Sequence, residues 1–167
     1  AAGKSTVREI IGNSDFWSKV APDAVVVEAD AIKNRDSLFT RLSAAGHDYR
    51  SDKDLHKFVH EYSTQAAEAI LVAAINEQKD VIFDGTMSWA PFVEQTIAMA
   101  RDHNRAYVCG PGYKPAADGQ PESERYWEPI PQEEQAGFLE SHPVRRPYRI
   151  ELVGVACDPG LAVCRGL

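Results

Sequence analysis

Ala1-Ala2-Gly3-Lys4-Ser5-Thr6 opens the chain with the back half of the phosphate-loop pattern G-x-x-x-x-G-K-[ST]. Gly3, Lys4 and Ser5 fill the last three places of that pattern, and Ala1 and Ala2 fill its last two variable ones. The first glycine and its apolar feeder strand would lie upstream of residue 1, so the sequence reads as cut inside its own motif. The residue types suit a polyphosphate. A glycine lets backbone N–H groups approach phosphate oxygens without a Cβ in the way, and the helix that follows points its positive end at the same anion. Lys4 is expected to reach the β- and γ-phosphates of ATP, Ser5 to ligate Mg²⁺, and Thr6 to touch the α-phosphate.

Working outward, residues 5–12 read as that helix, ended by Gly12-Asn13. Ala24-Val25-Val26-Val27-Glu28 is a β-branched run typical of a buried parallel strand, with Asp30 at its carboxyl end. Ile32 to Ala45 is a helix candidate. Ser51-Asp52-Lys53-Asp54 forms a capping box for a long helix reaching Asn76, with Leu55, Phe58, Val59, Tyr62, Ala66, Ala69, Ile70 and Ala73 at helical spacing. Val81-Ile82-Phe83 is a second strand, ending in Asp84-Gly85-Thr86, and Pro91 starts a helix through Arg101. Residues 106–109 and 150–156 read as third and fourth strands, and 161–167 as a last helix. Strands alternating with helices predict a parallel sheet covered on both faces.

Residues 110–147 break the rhythm. They hold seven of the ten prolines together with many carboxylates, so the reading is an irregular insertion, not a sheet element. Tyr113, Tyr126, Trp127 and Phe138 imply that it packs on something. The 167 residues otherwise read as one domain, and 44% hydrophobic with 26% charged residues is a globular balance. A net charge of −7 argues against a nucleic-acid groove or an anionic membrane surface as partner. No apolar run reaches membrane-spanning length. Three cysteines without C-x-x-C spacing fit unpaired thiols in a reducing, intracellular compartment, with Cys157 and Cys164 read as small buried hydrophobes.

Phosphoryl transfer needs a cradle, a metal, and a group that orients the attacking hydroxyl. Asp84 has the position and type of a Walker-B acid. Asp30 stands where small-molecule kinases of this architecture place the carboxylate that takes the acceptor's proton. A lone strand-end carboxylate is more often a helix N-cap, but two of them behind a phosphate loop reverse that weighting. Glu68, with Glu61 and Gln65, otherwise reads as a solvated helix face. His56 and His60 are spaced i, i+4 with no third ligand at a convincing spacing, and read as a solvent-facing pair. Arg145, Arg146 and Arg149 admit two readings: a clamp on a substrate phosphate, or salt bridges to the acidic insertion.

Taken together, Ala2-Gly3-Lys4-Ser5-Thr6, Val25 to Asp30, Glu68-Ala69-Ile70 and Val81 to Thr86 resemble the motif succession of zeta-toxin-type P-loop kinases, over essentially the whole chain. The likeness is closer to the plant, calmodulin-dependent NAD kinase-like branch. There Glu28-Ala29-Asp30, Gly110-Pro111-Gly112-Tyr113-Lys114 and the tail from Val153 to Gly166 recur in similar form. The resemblance implies a three-layer α/β P-loop fold lacking its first strand, and an ATP/Mg²⁺-dependent kinase acting on a hydroxyl of a small nucleotide-like acceptor such as NAD. It makes Asp30 the general base, Glu68 and Thr86 acceptor contacts, and Asp84 the counterpart of the acid in the toxins' Glu-Gly-Thr motif. The toxins carry an arginine two residues past that threonine. Here Ser88 stands in its place, which sets their UDP-amino-sugar acceptor in doubt. Arg165 falls near the family's lid arginines, and a chain ending at Leu167 is expected to be a poor catalyst alone. Calmodulin control would act outside these residues. Two other classes remain: a non-catalytic ATP-binding regulatory module, and an ATPase or GTPase switch, the latter disfavoured by the lack of an N/T-K-x-D guanine signature.

Overall fold

The computed structural model describes residues 3–44, 53–117, 121–142, 145–156 and 158–166. The chain divides into two compact units, Ala1–Ala24 with Arg149–Leu167, and Val25–Tyr148.

In the first unit, α1 (Lys4–Gly12) is followed by the single turn α2 (Trp17–Val20). The Arg149 guanidinium pairs with Glu151 at 2.5 Å and lies 5.7 Å from the Phe16 ring centre. The expected strand over 150–156 does not form: these residues enter no ladder among the described ones, and Leu152 and Val153 stay exposed. A β-branched run becomes a strand only when a neighbour takes its N–H and C=O groups. The expected last helix does form, as the C-terminal helix Pro159–Gly166, with the Gly160 N–H donating to Asp158 Oδ1 at 2.8 Å.

The second unit is built on β1 (Val25–Val27) and β2 (Val81–Phe83), paired in parallel with Val27 opposite Phe83. Between them run α3 (Ala29–Arg35), α4 (Ser37–Ala44) and the long α5 (Lys53–Asn76). The single helix expected over 32–45 is therefore two. Asp36 breaks it, with an extended backbone and a side chain that accepts the Phe39 N–H at 2.7 Å. Ser51 and Asp52 of the expected capping box lie outside the described residues. After β2 comes α6 (Ala90–Arg101), with Pro91 in its first turn.

The third strand overturns the sequence reading. β3 (Tyr107–Lys114) does not extend the parallel sheet but pairs antiparallel with β4 (Ser123–Pro129), and α7 (Gln132–Ser141) follows. Much of the supposed irregular insertion is thus a hairpin and a helix. Gly110-Pro111-Gly112 sits at a register shift, where Gly112 has φ 68° and a Cβ on Gly110 would lie 2.4 Å from the Arg125 carbonyl oxygen. A bulge accepts the residues a regular ladder rejects. With this last helix of the second unit named α7, the C-terminal helix Pro159–Gly166 is α8.

Val27, Ala67, Leu71, Val72, Ile75, Met99 and Trp127 form the core, with Val27 1% and Met99 2% exposed. Phe92 joins sheet to hairpin, its ring 5.9 Å from Phe83, 5.0 Å from Tyr126 and 5.6 Å from Trp127. Three side-chain amides bracket the hairpin. Asn76 exchanges two hydrogen bonds with the Tyr107 backbone, Gln135 two with Ala106, and Gln95 bonds the Glu124 carbonyl and the Tyr126 N–H. Among the described residues, no helix is long and apolar enough to cross a membrane.

Candidate active site

The residues expected to bind phosphate lie in the first unit. Gly3 precedes α1 with φ 89° and ψ 23°, a left-handed geometry that favours glycine, and its carbonyl accepts the Val7 N–H at 3.1 Å. No side chain caps the helix and no acidic residue stands in its first turn. The leading N–H groups and the positive helix end are thus not offset by a carboxylate of their own turn. Lys4 is the first helical residue and is exposed, Ser5 is the second, and Thr6 is exposed. Ala2 lies outside the described residues. Arg165 belongs to α8.

The second unit carries the acids. The Asp84 N–H donates to the Val27 carbonyl at 2.9 Å, which ties the residue after β2 to the end of β1. Asp30 does not end a strand. Glu28 is the N-cap of α3 and Asp30 sits in that helix's first turn, ion-paired to Lys33 at 2.7 Å with 78% of its side chain exposed. Both carboxylates nonetheless leave the carboxyl end of the same parallel pair, where open α/β sheets bind ligands. The turn moves Asp30 off the strand because Ala29 to Arg35 favours helix once Glu28 has left the ladder.

Glu68 is half-buried on α5, unlike exposed Glu61 and Gln65, and desolvation holds its carboxyl above the usual range. The expected solvated face therefore stops short of it. Its charge is felt by the Cys109 thiol and the Tyr126 phenol, both on the hairpin. In the loop after β2, Met87 adopts φ 49° and the Thr86 and Ser88 hydroxyls meet at 3.0 Å. Ser88 is thus the hydrogen-bond partner of Thr86.

Sequence reasoning missed the hairpin's contribution. The Trp89 indole N–H and the Tyr126 O–H, the latter at 2.6 Å, both donate to Glu124 Oε1. Burial, then this bond, pushes the Tyr126 phenol up to about 12. The aromatic pair Tyr126-Trp127, of a residue type favoured in strands, was the available signal. The flanking prolines masked it.

The arginine trio is dispersed. Arg145 donates to the carbonyls of His103 at 2.9 Å, Asn76 at 2.7 Å and Arg105 at 3.3 Å, and its guanidinium lies 4.9 Å from the Phe138 ring centre. It ties loops together, so neither the phosphate clamp nor the salt bridge to the insertion describes it. Arg146 offers its N–H to Gln78, and Arg149 pairs with Glu151, outside residues 110–147. Cys164 is exposed on the short α8, not buried, and Cys157 lies outside the described residues. Of the histidine pair, His60 is exposed, and its carbonyl accepts the Ser63 hydroxyl at 3.1 Å.

Residues 1–108 match the zeta toxin family model, and the chain belongs to that family. It is also 47% identical over 167 residues to the calmodulin calcium-dependent NAD kinase of Arabidopsis thaliana. That match covers 99% of this chain and 30% of the relative, so the chain spans less than a third of the relative's length. No solved structure matches it. Family membership and the relative's name support a kinase-type phosphotransferase.

Proposed function

We propose that the chain supplies the nucleotide- and acceptor-binding residues of an ATP- and Mg²⁺-dependent kinase that phosphorylates a hydroxyl of a nucleotide-like acceptor, with NAD as the first candidate. The observation that carries this reading is left-handed Gly3 at the head of a nine-residue helix whose first turn holds Lys4, Ser5 and no acid. That is the donor set a polyphosphate needs.

On the donor side, the backbone after Gly3, the Lys4 ammonium and the Thr6 hydroxyl would bind phosphate oxygens, and Arg165 would add positive charge as the transfer proceeds. Ser5 and Asp84 are hydroxyl and carboxylate ligands of the hard type that Mg²⁺ prefers. The metal, when bound, neutralises charge on the transferring phosphoryl group. On the acceptor side, Asp30 takes the hydroxyl proton, while Glu68 and Thr86 hold the acceptor. NAD rests on the relative's name together with Ser88, which withdraws the arginine the toxins present at that place. Calmodulin control of the full-length protein rests on the relative's name alone.

The test is a transfer assay on the full-length protein with labelled ATP, offering NAD and UDP-amino sugars, with and without calcium-calmodulin. The expected product is phosphorylated NAD, absent in Asp30→Asn. Transfer that survives in Asp30→Asn removes the base assignment. ATP binding without transfer to any acceptor favours the non-catalytic regulatory module.

A further inference from the structure

Among the described residues, Glu124 is a carboxylate held at one oxygen, Oε1. Two donors from different elements, the Trp89 indole at the head of α6 and the Tyr126 phenol on β4, converge on Oε1, and neither donates to Oε2. The strand beneath is locked independently of that side chain. Gln95 accepts the Tyr126 N–H at 2.9 Å and donates to the Glu124 carbonyl at 3.1 Å, so the backbone of β4 is anchored to α6 on both sides of Arg125. The result is a carboxylate with fixed orientation and a spare acceptor oxygen.

Its neighbours bear on what that oxygen meets. Trp89 follows the Thr86 to Ser88 segment directly and is 55% exposed, and an exposed indole is a residue type on which a base or a pyridine ring can stack. α5, which carries Glu68, packs on β3, and α6 packs on β4. The Tyr126 phenol lies in the field of Glu68 as well as in contact with Glu124. Trp89, three residues after Thr86, and Tyr126, in the field of Glu68, thus link Glu124 to the two residues assigned to the acceptor.

We infer that Glu124 is a specificity-determining residue of the acceptor site: its Oε2 accepts a hydroxyl of the nucleotide-like acceptor, while Trp89 and Tyr126 position the carboxylate through Oε1. This rests on the acceptor reading proposed above and deepens it. A carboxylate accepting sugar hydroxyls favours a ribose-bearing ligand and disfavours one that brings an additional phosphate to the same place, since two anions would then face each other.

The test is calorimetry on the full-length protein without ATP, using NAD and a UDP-amino sugar as separate probes, with Tm measured alongside. Glu124→Gln retains an oxygen for Trp89 and Tyr126 but can present an N–H donor in place of Oε2. Losing one charge-assisted hydrogen bond should weaken the bound acceptor by roughly tenfold or more. ATP affinity and Tm should hold, and in turnover the loss should fall on the acceptor KM with kcat nearly kept. Tyr126→Phe removes one of the two donors to Oε1 and should weaken the same acceptor by a smaller factor. It serves as the deciding variant should Glu124→Gln lower Tm. Equal acceptor affinity in wild type and in the folded variants overturns the inference and leaves the kinase reading standing. A wild-type protein that binds ATP but neither acceptor overturns the acceptor reading and this inference together.

Discussion

The side-chain amide of Asn76, at the end of α5, donates to the Tyr107 carbonyl at 2.8 Å and accepts the Tyr107 N–H at 3.1 Å, so a helix terminus continues the edge of β3 as a further strand would. Sheet edges leave such groups unpaired, and here the neighbouring helices supply the partners. Asn76→Ala removes both bonds while the Asn76 carbonyl stays with Arg145. At about 1 kcal/mol for each lost bond, stability should fall by about 2 kcal/mol, with Tm lower by several degrees in a thermal melt. An unchanged Tm would show that water replaces the bracket without cost.

Glu68 should record the cost of its own position. Its carboxyl is raised above the usual 4.5 by desolvation, so the folded protein keeps a proton that the unfolded chain has released. The sign follows from linkage: stability is fully present below 4.5 and is lost as pH rises through the folded value. Glu68→Gln should therefore melt higher than wild type at pH 7, with the gap closing below pH 4.5, while acceptor binding weakens. Melting curves across pH decide this, and a variant that melts lower at pH 7 contradicts it.

Alkaline stability should turn on tyrosines. The Tyr148 hydroxyl donates to the Lys79 carbonyl at 2.7 Å, and burial, reinforced by Asp80, pushes its phenol from 10.0 up to about 12. Tyr107 is pushed up to about 12 as well, by burial and then by its bond to Asp102. The unfolded chain ionises first, so stability should decline as pH rises from 10 to about 12. Tyrosinate absorbance followed together with circular dichroism should show late ionisation coinciding with unfolding. Tyr148→Phe should be less stable at pH 7 by about 1 kcal/mol and lose a smaller fraction of its stability over that interval.

The roles proposed for Lys4 and Asp30 should separate kinetically. Lys4→Ala, in the full-length protein, should abolish measurable ATP binding, since one ammonium on a polyphosphate carries several charge-assisted contacts. Asp30→Asn should keep ATP affinity and reduce kcat by about 10²- to 10⁴-fold, the scale of a lost general base. Calorimetry with ATP and steady-state rates distinguish the two, and loss of ATP binding in Asp30→Asn would assign that residue to nucleotide binding instead.

The elements whose identity rests on local physics were legible in the chain. Gly3-Lys4-Ser5 at a helix start, the β-branched runs of β1 and β2, and the helical spacing up to Asn76 each report interactions within a few residues. The family's motifs follow the same logic, because a cradle or a strand-end acid is a local device. What could not be read is which strand meets which. Residues 106–109 carry the signal of a strand either way, and only the approach of 123–129 carried the strand on to Lys114 and made it half of an antiparallel hairpin. Residues 150–156 also read as a strand and enter no ladder among the described residues. The placement of Glu124 between Trp89 and Tyr126 joins positions 35 residues apart in sequence. Short-range propensity determines what a segment can become. Hydrogen-bond partners and desolvation, which come from distant residues, decided which of those possibilities this protein uses.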